Sequence, residues 1–379
     1  MNVSETKPVP QRVSPPGGRA GVDAAWMTAA LGPDVLHGAT VTTVTPRRVG
    51  EGRGHLGLSI RVDIEYSTTV PGAPRSVVVK LPADTPESVE TARRGRLYER
   101  EFRFFPELAP RTDVRAPRCF AAAFDRTTDD CALVLEDVSG RLEVDQLDGC
   151  PLPQAKQVLQ QLARMHASWW QSSSLPQQRW LTRFTSEHRL ANLHRLFVAG
   201  WPQLCAHFED RLPEGAAEIG AAVAEEFVPT LRRFDEHPQT LLHGDARLDN
   251  FMFDAGEVRA PVVLLDWQNV GRGPAIADIG YFVAQNLTPT AIRDHADELL
   301  TSYHTELVRH GVRTFSRPQL TDSLWQALPV SFAVAASLFV LGDITLPRTR
   351  ELAAVMAERA LAAADTLALL DRISQPAST

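Results

Sequence analysis

The residues best suited to chemistry lie in HGDARLDN, at positions 243–250, and at Asp266, sixteen positions beyond Asn250 at the end of the apolar run VVLLDW. Asp245 and Asn250 should occupy a loop after a short strand, and a β-hairpin through NFMFDAGEVRAPVVLLDW would bring Asn250 beside Asp266. Mg²⁺ takes a few hard oxygen ligands and keeps waters and substrate phosphates, which suits Asn250 and Asp266. Asp245 then stays free to accept a proton from an attacking hydroxyl. Phosphoryl transfer needs this division of roles.

A simple turn is the alternative interpretation of HGD, because isolated Asp and Asn residues usually cap loops. A turn does not explain the spacing of the whole set, in which H-G-D-x4-N is followed by an apolar strand that ends in Asp-Trp. The N-terminal half of the chain adds two further features that a turn does not require.

The first of these features is the glycine-rich stretch VGEGRGHLG, which places Gly50, Gly52, Gly54 and Gly57 between two strand-like runs. The last three have G-x-G-x-x-G spacing, but no helix follows. A dinucleotide fingerprint needs a helix N-terminus at the pyrophosphate, so that interpretation is excluded. The stretch instead fits a β-hairpin over phosphates, where glycine lets backbone N–H groups approach the anion. A plain turn remains the alternative.

The second feature is Lys80, which lies at the end of the apolar strand SVVVKLP and must find an anionic partner. A nucleotide phosphate is one such partner and a helix carboxylate is another. Glu101, in YEREFRFFPEL on the following helix, is the expected carboxylate. Glu99 is the rival on the same helix, but it points elsewhere if Glu101 faces the sheet.

The elements that must position these residues divide the chain near residue 138. Residues 1–20 are rich in Pro, Gly and Ser and are expected to form a disordered leader. Residues 21–138 predict one short helix and a five-stranded antiparallel sheet with one inserted helix, SVETARRGRLYEREFRFFPELA. Residues 139–379 predict a larger, mainly helical part that LLHGD, NFMFD and VVLLDW interrupt as short strands. The fold class is therefore α+β.

Composition restricts the partners and the compartment. The chain has 379 residues, a formal net charge of −7 and scattered Lys and Arg, so it lacks the basic field that nucleic acid requires. The N-terminus lacks the apolar core of a signal peptide, and no window approaches a membrane span. We therefore expect a cytoplasmic protein with neither a nucleic-acid nor a membrane partner. The cysteines have neither C-x-x-C spacing nor a neighbouring His, so we expect no zinc site or disulfide framework: Cys119, Cys131, Cys150 and Cys205.

In this order, the motifs resemble the aminoglycoside-phosphotransferase superfamily, small-molecule kinases with a protein-kinase-like fold. YEREFRFFPELAPR, LVLEDV, DQLDGC, LARMHASWW, HGDARLDNFMF and LLDWQNVGRGPAIADIGYFV resemble its CHK-kinase-like, ecdysteroid-kinase-like branch, notably actinomycete-type bacterial members. The resemblance covers roughly residues 45 to 290 and implies a bilobal fold with ATP and Mg²⁺ as cofactors.

The resemblance also implies a role for each matching residue. Asp245 corresponds to the catalytic base, and Asn250 and Asp266 to the Mg²⁺ ligands. Lys80 corresponds to the lysine that binds ATP phosphates, with Glu101 as its partner.

Four further residues receive supporting roles from the resemblance. Glu136 and Val138, in the LEDV segment that joins the lobes, should offer backbone groups to adenine. Asp278, in GPAIADIGYF, corresponds to the acid that supports the catalytic loop, through His243 or its backbone.

The chain departs from protein kinases at two places. Gly244 stands where a protein kinase has Arg before the catalytic Asp, and Trp267-Gln268 stands where it has Phe-Gly. We therefore expect no activation-loop switch and no protein substrate.

The acceptor is the least specified part of the hypothesis. The branch and the aromatic-rich helical half favour a small hydrophobic alcohol or natural product. An aminoglycoside, a hydroxyacyl thioester or a choline-like alcohol are the alternatives, and a nucleotide-binding pseudokinase is the alternative of a different class. His166 is expected to be a packing histidine, and most of four aromatic residues should be core although they could line an acceptor pocket: Trp180, Phe184, Phe197 and Trp201.

Overall fold

The computed structural model describes residues 9–49, 57–125, 127–128, 130–256 and 260–374. The chain forms two compact units, Met1–Arg141 with Val263–Asn269, and Leu142–Val262 with Val270–Thr379. The first division lies close to the predicted boundary at residue 138. The segment that carries Asp266 nevertheless returns to the first unit, where the Leu264 N–H donates to the Arg115 carbonyl at 2.8 Å.

The strands are short, and most lie in the first unit. They are β1 Gln11–Arg12, β2 Val41–Arg48, β3 Leu58–Tyr66, β4 Ser76–Leu81, β5 Cys119–Phe124, β6 Cys131–Glu136, β7 Leu142–Glu143, β8 Thr182–Arg183, β9 Gln239–Leu242, β10 Phe251–Phe253, β11 Val263–Leu264 and β12 Gly271–Pro274.

The helices dominate the second unit. They are α1 Ala24–Leu31, α2 Pro33–Leu36, α3 Pro86–Gly95, α4 Leu97–Arg103, α5 Leu152–Ser168, α6 Glu187–His207, α7 Ala216–Arg232, α8 Ile276–Asn286, α9 Pro289–Arg309, α10 Arg317–Ser323, α11 Leu328–Leu341, α12 Pro347–Thr366 and α13 Leu369–Ile373.

The sheet of the first unit has the strand order β1-β5-β6-β4-β3-β2. All its pairings are antiparallel except that of β1 with β5. Side chains alternate between faces along a strand, so Val77, Val79 and Leu81 of β4 enter the core that α1 covers. Lys80 points to the opposite face from a central strand, which explains how a charged residue follows an apolar run.

The N-terminal segment corrects the expected disordered leader. Gln11 and Arg12 pair in parallel with Ala121 and Ala122 of β5, which adds a sixth strand to the predicted five. The Trp26 indole N–H also donates to the Ser14 carbonyl at 2.9 Å. A two-residue strand needs no apolar pattern, so the Pro- and Gly-rich composition concealed it. Residues 1–8 lie outside the described residues.

The sequence predicted one continuous helix between β4 and β5, but the structure breaks it. α3 ends at Gly95, the next residue, Arg96, has a φ of 52° in the left-handed region, and α4 begins immediately after Arg96. A π-helical turn, Phe104–Leu108, then continues from α4. Each break changes the direction that the following side chains face.

The second unit packs its helices around a buried α8, all of whose residues are buried. β9 pairs antiparallel with β12, and β10 pairs antiparallel with β7. The sequence predicted most of these helices but neither α8 nor α9. The residues after α8 carry ordinary helix-start signals, since Thr288 caps α9 and Pro289 is its first residue.

One helical segment of the described chain, Arg317–Leu341, is long and apolar enough to cross a membrane, with a mean hydropathy of 1.8. The expectation that no sequence window approaches a membrane span is therefore wrong, because this segment has the length and the composition of one. Of the window, 67% is buried inside the protein. Phe332 of α11 lies 4.8 Å from the Trp201 ring, and Phe197 packs on the same pair. These are the contacts of a core helix.

Candidate functional site

Lys80 forms the centre of a charged cluster in the first unit. Its Nζ lies 2.6 Å from Glu101 Oε1 and 3.3 Å from Asp266 Oδ1. Burial opposes the ammonium charge, but Asp266 and Glu101 outweigh it and raise the pKa of Lys80. Burial also raises the pKa of Glu101, against the attraction of Lys80. Lys80 is therefore charged at neutral pH, and the predicted contact with Glu101 is present.

The rival carboxylate on α4 is occupied elsewhere. Glu99 binds Arg96 at 2.6 Å and Arg103 at 3.3 Å on the outer side of the helix. Only Glu101, which is buried, faces the sheet. The break at Arg96 precedes the first turn of α4, which contains Glu99.

Asp266 has a φ of 59°, a conformation that side-chain-bearing residues rarely adopt outside functional sites and turns. Neighbouring groups hold it there. The Trp267 N–H donates to Glu101 Oε1 at 3.2 Å, and Gln268 Nε2 donates to Asp266 Oδ2 at 3.1 Å. The Trp267 ring stacks on Phe104 with centroids 3.7 Å apart. Trp267, noted in the sequence only as a departure, thus anchors the turn that presents Asp266.

The LEDV segment is fixed by charges that sequence reasoning missed. Asp137 accepts hydrogen bonds from Arg61 Nε at 2.7 Å, Ser76 Oγ at 2.6 Å and the Ser139 N–H at 3.0 Å. Burial alone would raise the pKa of Asp137, but these bonds lower it to about 2. The motif gave no signal for this, because Arg61 lies on β3, three strands before β6 in the chain.

The residues on either side of Asp137 determine which backbone groups this segment could offer to a nucleotide base. The Glu136 N–H already donates to the Arg118 carbonyl at 2.8 Å, and the Glu136 carboxylate binds Arg115 at 2.6 Å. The Val138 carbonyl accepts from the Arg141 N–H at 3.0 Å. Among the described residues nothing accepts the Val138 N–H, so this donor fits an adenine acceptor.

The glycine-rich hypothesis mostly lies outside the described residues. This applies to Gly50, Gly52 and Gly54. Gly57 is described and exposed, and a Cβ there would come no nearer than 3.6 Å to the Leu81 carbonyl oxygen. Space therefore does not require glycine at 57, and the phosphate-binding hairpin stays a prediction.

In the second unit, Asp278 of α8 holds the backbone before Asp245. Its carboxylate accepts the N–H of His243 at 2.7 Å and of Gly244 at 2.9 Å, so the predicted contact is present and uses the backbone. His166, the expected packing histidine, lies between Asp278 at 3.3 Å and the Tyr303 hydroxyl at 2.9 Å. Burial alone would raise the pKa of Asp278, but the hydrogen bond to His166 and the neighbouring charges and N–H groups lower it.

The loop beyond Gly244 closes on itself. Asn250 Nδ2 donates to the Asp245 carbonyl at 2.9 Å, so the Asn250 side-chain oxygen is the atom that fits a metal. The Asp245 carboxylate lies 3.4 Å from the Tyr281 hydroxyl and 3.5 Å from Arg247 Nε. Burial, followed by the charge of Asp245, raises the pKa of Tyr281, so this hydroxyl stays a donor.

Asn286, at the end of α8, is a second support that the sequence did not reveal. Its Oδ1 accepts the Leu248 N–H at 2.8 Å, and its Nδ2 donates to the Ala246 carbonyl at 2.9 Å. The only signal is an amide at the end of the apolar run GYFVAQN. The aromatic residues considered for the acceptor pocket are buried: Trp180, Phe184, Phe197 and Trp201.

The α+β architecture and the two clusters define a class, the kinase-like phosphotransferases that act on small molecules. The family comparison agrees, since residues 51–313 match the model of the ecdysteroid kinase-like family. The chain therefore belongs to the ecdysteroid kinase-like family. The predicted superfamily and fold class are confirmed.

One solved structure supports the fold, and two others are more distant neighbours. A candidate aminoglycoside phosphotransferase from Ralstonia eutropha JMP134 is 18% identical with a TM-score of 0.50, covering 93% of this chain and 98% of its own. The GDP complex of wild-type aminoglycoside 2'-phosphotransferase-IIIa is 14% identical with a TM-score of 0.49, covering 88% and 93%. Macrolide 2'-phosphotransferase MphH from Brachybacterium faecium is 17% identical with a TM-score of 0.40, covering 90% and 96%. No curated protein matches the chain significantly.

Proposed function

We propose that this chain is an ATP- and Mg²⁺-dependent phosphotransferase that moves the γ-phosphoryl group to a hydroxyl of a small organic molecule. The observation that carries the proposal is Lys80, a cation held by Glu101 and by an Asp266 in a strained conformation. A purely structural lysine needs one carboxylate and no strained turn. A phosphate-binding lysine beside a metal-binding acid accounts for both.

Each residue then has a role that its contacts support. Lys80 neutralises phosphate charge. Asn250, through its free side-chain oxygen, and Asp266 would hold Mg²⁺, which supplies further charge neutralisation when bound. The Val138 N–H and the Glu136 carbonyl would face adenine.

Asp245 orients the acceptor hydroxyl and takes its proton. The hydroxyl oxygen forms a bond to the γ-phosphorus, and the bond from that phosphorus to the β–γ bridging oxygen breaks. ADP leaves with those electrons, and the proton stays on the Asp245 carboxylate. Asp278 supports this step by fixing the backbone of the two residues before Asp245.

A hydrophobic alcohol or natural product is the favoured acceptor. Membership of the ecdysteroid kinase-like family supports it, whereas the aromatic residues of the helical half do not, because they are core. An aminoglycoside is the second candidate, since neighbouring folds include complexes with kanamycin and gentamicin. Hydroxyacyl and choline-like alcohols remain candidates within the same reaction. The four buried free cysteines support a reducing compartment such as the cytoplasm.

ADP release from Mg-ATP, measured over sterols, hydroxy acids, choline-like alcohols and aminoglycosides, tests the function. We expect Asp245→Asn to lower turnover by about 100- to 10,000-fold, the range of a lost general base, while ATP affinity changes less than about twofold. Asp249→Asn, in the same loop, is the matched control and should keep turnover. Full activity in Asp245→Asn would refute the assignment. ATP binding without ADP release from any acceptor would favour the pseudokinase.

A further inference from the structure

A cavity of about 280 Å³ lies on the first unit, behind the helix that carries Glu101. Three parts of the chain line it: the N-terminal segment, the end of α4 with its π-helical turn, and β5. The lining residues are Pro10, Arg12, Val13, Phe102, Arg103, Pro106, Glu107, Ala122 and Phe124. The cavity opens to solvent, and its volume lies near the lower end of the range for small-molecule sites, roughly 300–1,000 Å³.

The walls of the cavity combine aromatic surface with charge at one side. The Phe102 and Phe124 rings stack at 5.3 Å, and Pro10 and Pro106 extend the apolar surface. The lining therefore offers a ligand both apolar surface and polar side chains.

The charges around the cavity do not cancel. Arg103 is paired with Glu107 at 2.7 Å and with Glu99 at 3.3 Å, so its charge is already neutralised by neighbouring carboxylates. Arg12 makes no ion pair within the part of the chain that the structure describes, and it leaves one positive charge at the cavity. A ligand with a single negative charge is therefore complementary.

The helix geometry at the cavity is unusual. Phe104–Leu108 forms a π-helical turn, and Pro106 and Glu107 belong both to that turn and to the cavity wall. π-helical turns are rare and occur frequently at functional sites. Here the widened turn directs two residues into the cavity immediately after the helix that presents Glu101.

We propose that this cavity is a binding site for a small aromatic monocarboxylate. Its ring packs against the surface that Phe102, Phe124 and Pro106 form, and its carboxylate faces Arg12. Because Phe102 directly follows Glu101, an occupant restrains the helix that pairs Glu101 with Lys80. Nucleotide affinity then rises when the site is filled, and by linkage the nucleotide raises the affinity for the carboxylate. This coupling rests on the proposed function, whereas the site itself does not.

Calorimetry with indole-3-acetate as the probe, and neutral indole-3-acetamide as its matched control, tests the site on the full chain. We expect the acetate to bind at least about fivefold more tightly than the amide, the effect of one charge-assisted contact at a partly exposed position. Arg12→Gln, on an exposed side chain, should remove that preference and leave amide binding unchanged. Ala122→Leu should weaken both ligands by filling the cavity.

Three outcomes would overturn the proposal: absence of binding at millimolar probe, equal binding of acetate and amide, or binding that neither variant changes. Thermal unfolding of each variant shows whether it is folded, and Arg12→Gln keeps the test valid if Ala122→Leu is not. Mg-ATP titration with and without saturating indole-3-acetate tests the coupling. Probe binding without ADP release from any acceptor would contradict the proposed kinase function and leave the site standing.

Discussion

Asp137 shows how a single residue outside the expected site fixes the segment assigned to adenine. Its carboxylate joins β3, β4 and the chain after β6 through Arg61, Ser76 and the Ser139 N–H. These groups come together only in the folded sheet. The sequence therefore revealed the LEDV motif but not which of its residues holds it in place.

We expect Asp137→Asn to lower the free energy of unfolding by about 2 kcal/mol at pH 7, because a pKa lowered to about 2 from near 4 corresponds to a contribution of that size. The folded-state pKa lies below the unfolded one, so the contribution is complete above about pH 4 and is lost as pH falls towards 2. Urea denaturation at pH 7 and near pH 2 measures it. Exposed Glu65→Gln is the control. A difference between wild type and Asp137→Asn that does not shrink in acid would contradict the account.

The Lys80 partnership marks what residue patterns could and could not decide. Its position at the end of an apolar strand predicted that Lys80 needs an anionic partner, and the structure supplies Glu101. Glu101 was preferred to Glu99 only on the condition that it faces the sheet. In the structure, Arg96 and Arg103 bind Glu99 on the outer side of the helix, and the string YEREFRFFPELAPR contains Arg103 without showing which carboxylate it binds.

At the scale of elements, α8 is the support of the loop that contains Asp245. Asp278, near the start of α8, accepts hydrogen bonds from two backbone N–H groups of the loop. Asn286, at the end of α8, accepts one hydrogen bond from a backbone N–H and donates one to a backbone carbonyl. The sequence suggested the first contact through the family resemblance alone. It did not predict α8 as a helix, because the few polar residues in this mostly apolar run do not mark one exposed face with the helical period.

We expect Asn286→Ala to destabilise the protein by roughly 2–4 kcal/mol, since it leaves the buried Leu248 N–H and Ala246 carbonyl unsatisfied. Turnover should fall while ATP affinity stays near wild type, because Lys80 and Asp266 belong to the other unit. Asn192→Ala, whose amide bonds only to exposed Arg195, is the matched control and should cost under about 0.5 kcal/mol. Chemical denaturation and steady-state kinetics measure the two effects. Equal stability of the two variants would be inconsistent with this role of α8.

The whole molecule is organised by a chain that leaves the first unit at Arg141, returns for Val263–Asn269 and leaves again. The sequence analysis placed a single boundary, near residue 138. A single boundary cannot describe a segment that returns to the first unit later in the chain. The apolar pattern likewise predicted sheet and helical halves correctly, but composition alone could not tell a core helix from a membrane span at Arg317–Leu341.

At the scale of the whole molecule, we expect the rate of amide hydrogen exchange to distinguish α8 from helices at the surface. All of α8 is buried, so its amides should exchange at least about a thousandfold more slowly than those of the largely exposed α3, through global rather than local opening. Deuterium uptake by peptides covering residues 276–286 and 86–95 measures the ratio. Asn286→Ala should speed exchange in the first peptide only. Comparable uptake by both peptides in the wild type would exclude α8 as the core of its unit.

The hydrogen bonds that Asp278 and Asn286 make to the loop all end on backbone atoms. The shape of the loop is therefore largely independent of which side chains it carries between Asp245 and Asn250. The Asp249 side chain takes part in none of these bonds, so under the proposed function a mutational library directed at that position keeps the bonds from Asp278 and Asn286 while it explores new acceptors. A scaffold of this kind favours the divergence of substrate preference among related enzymes.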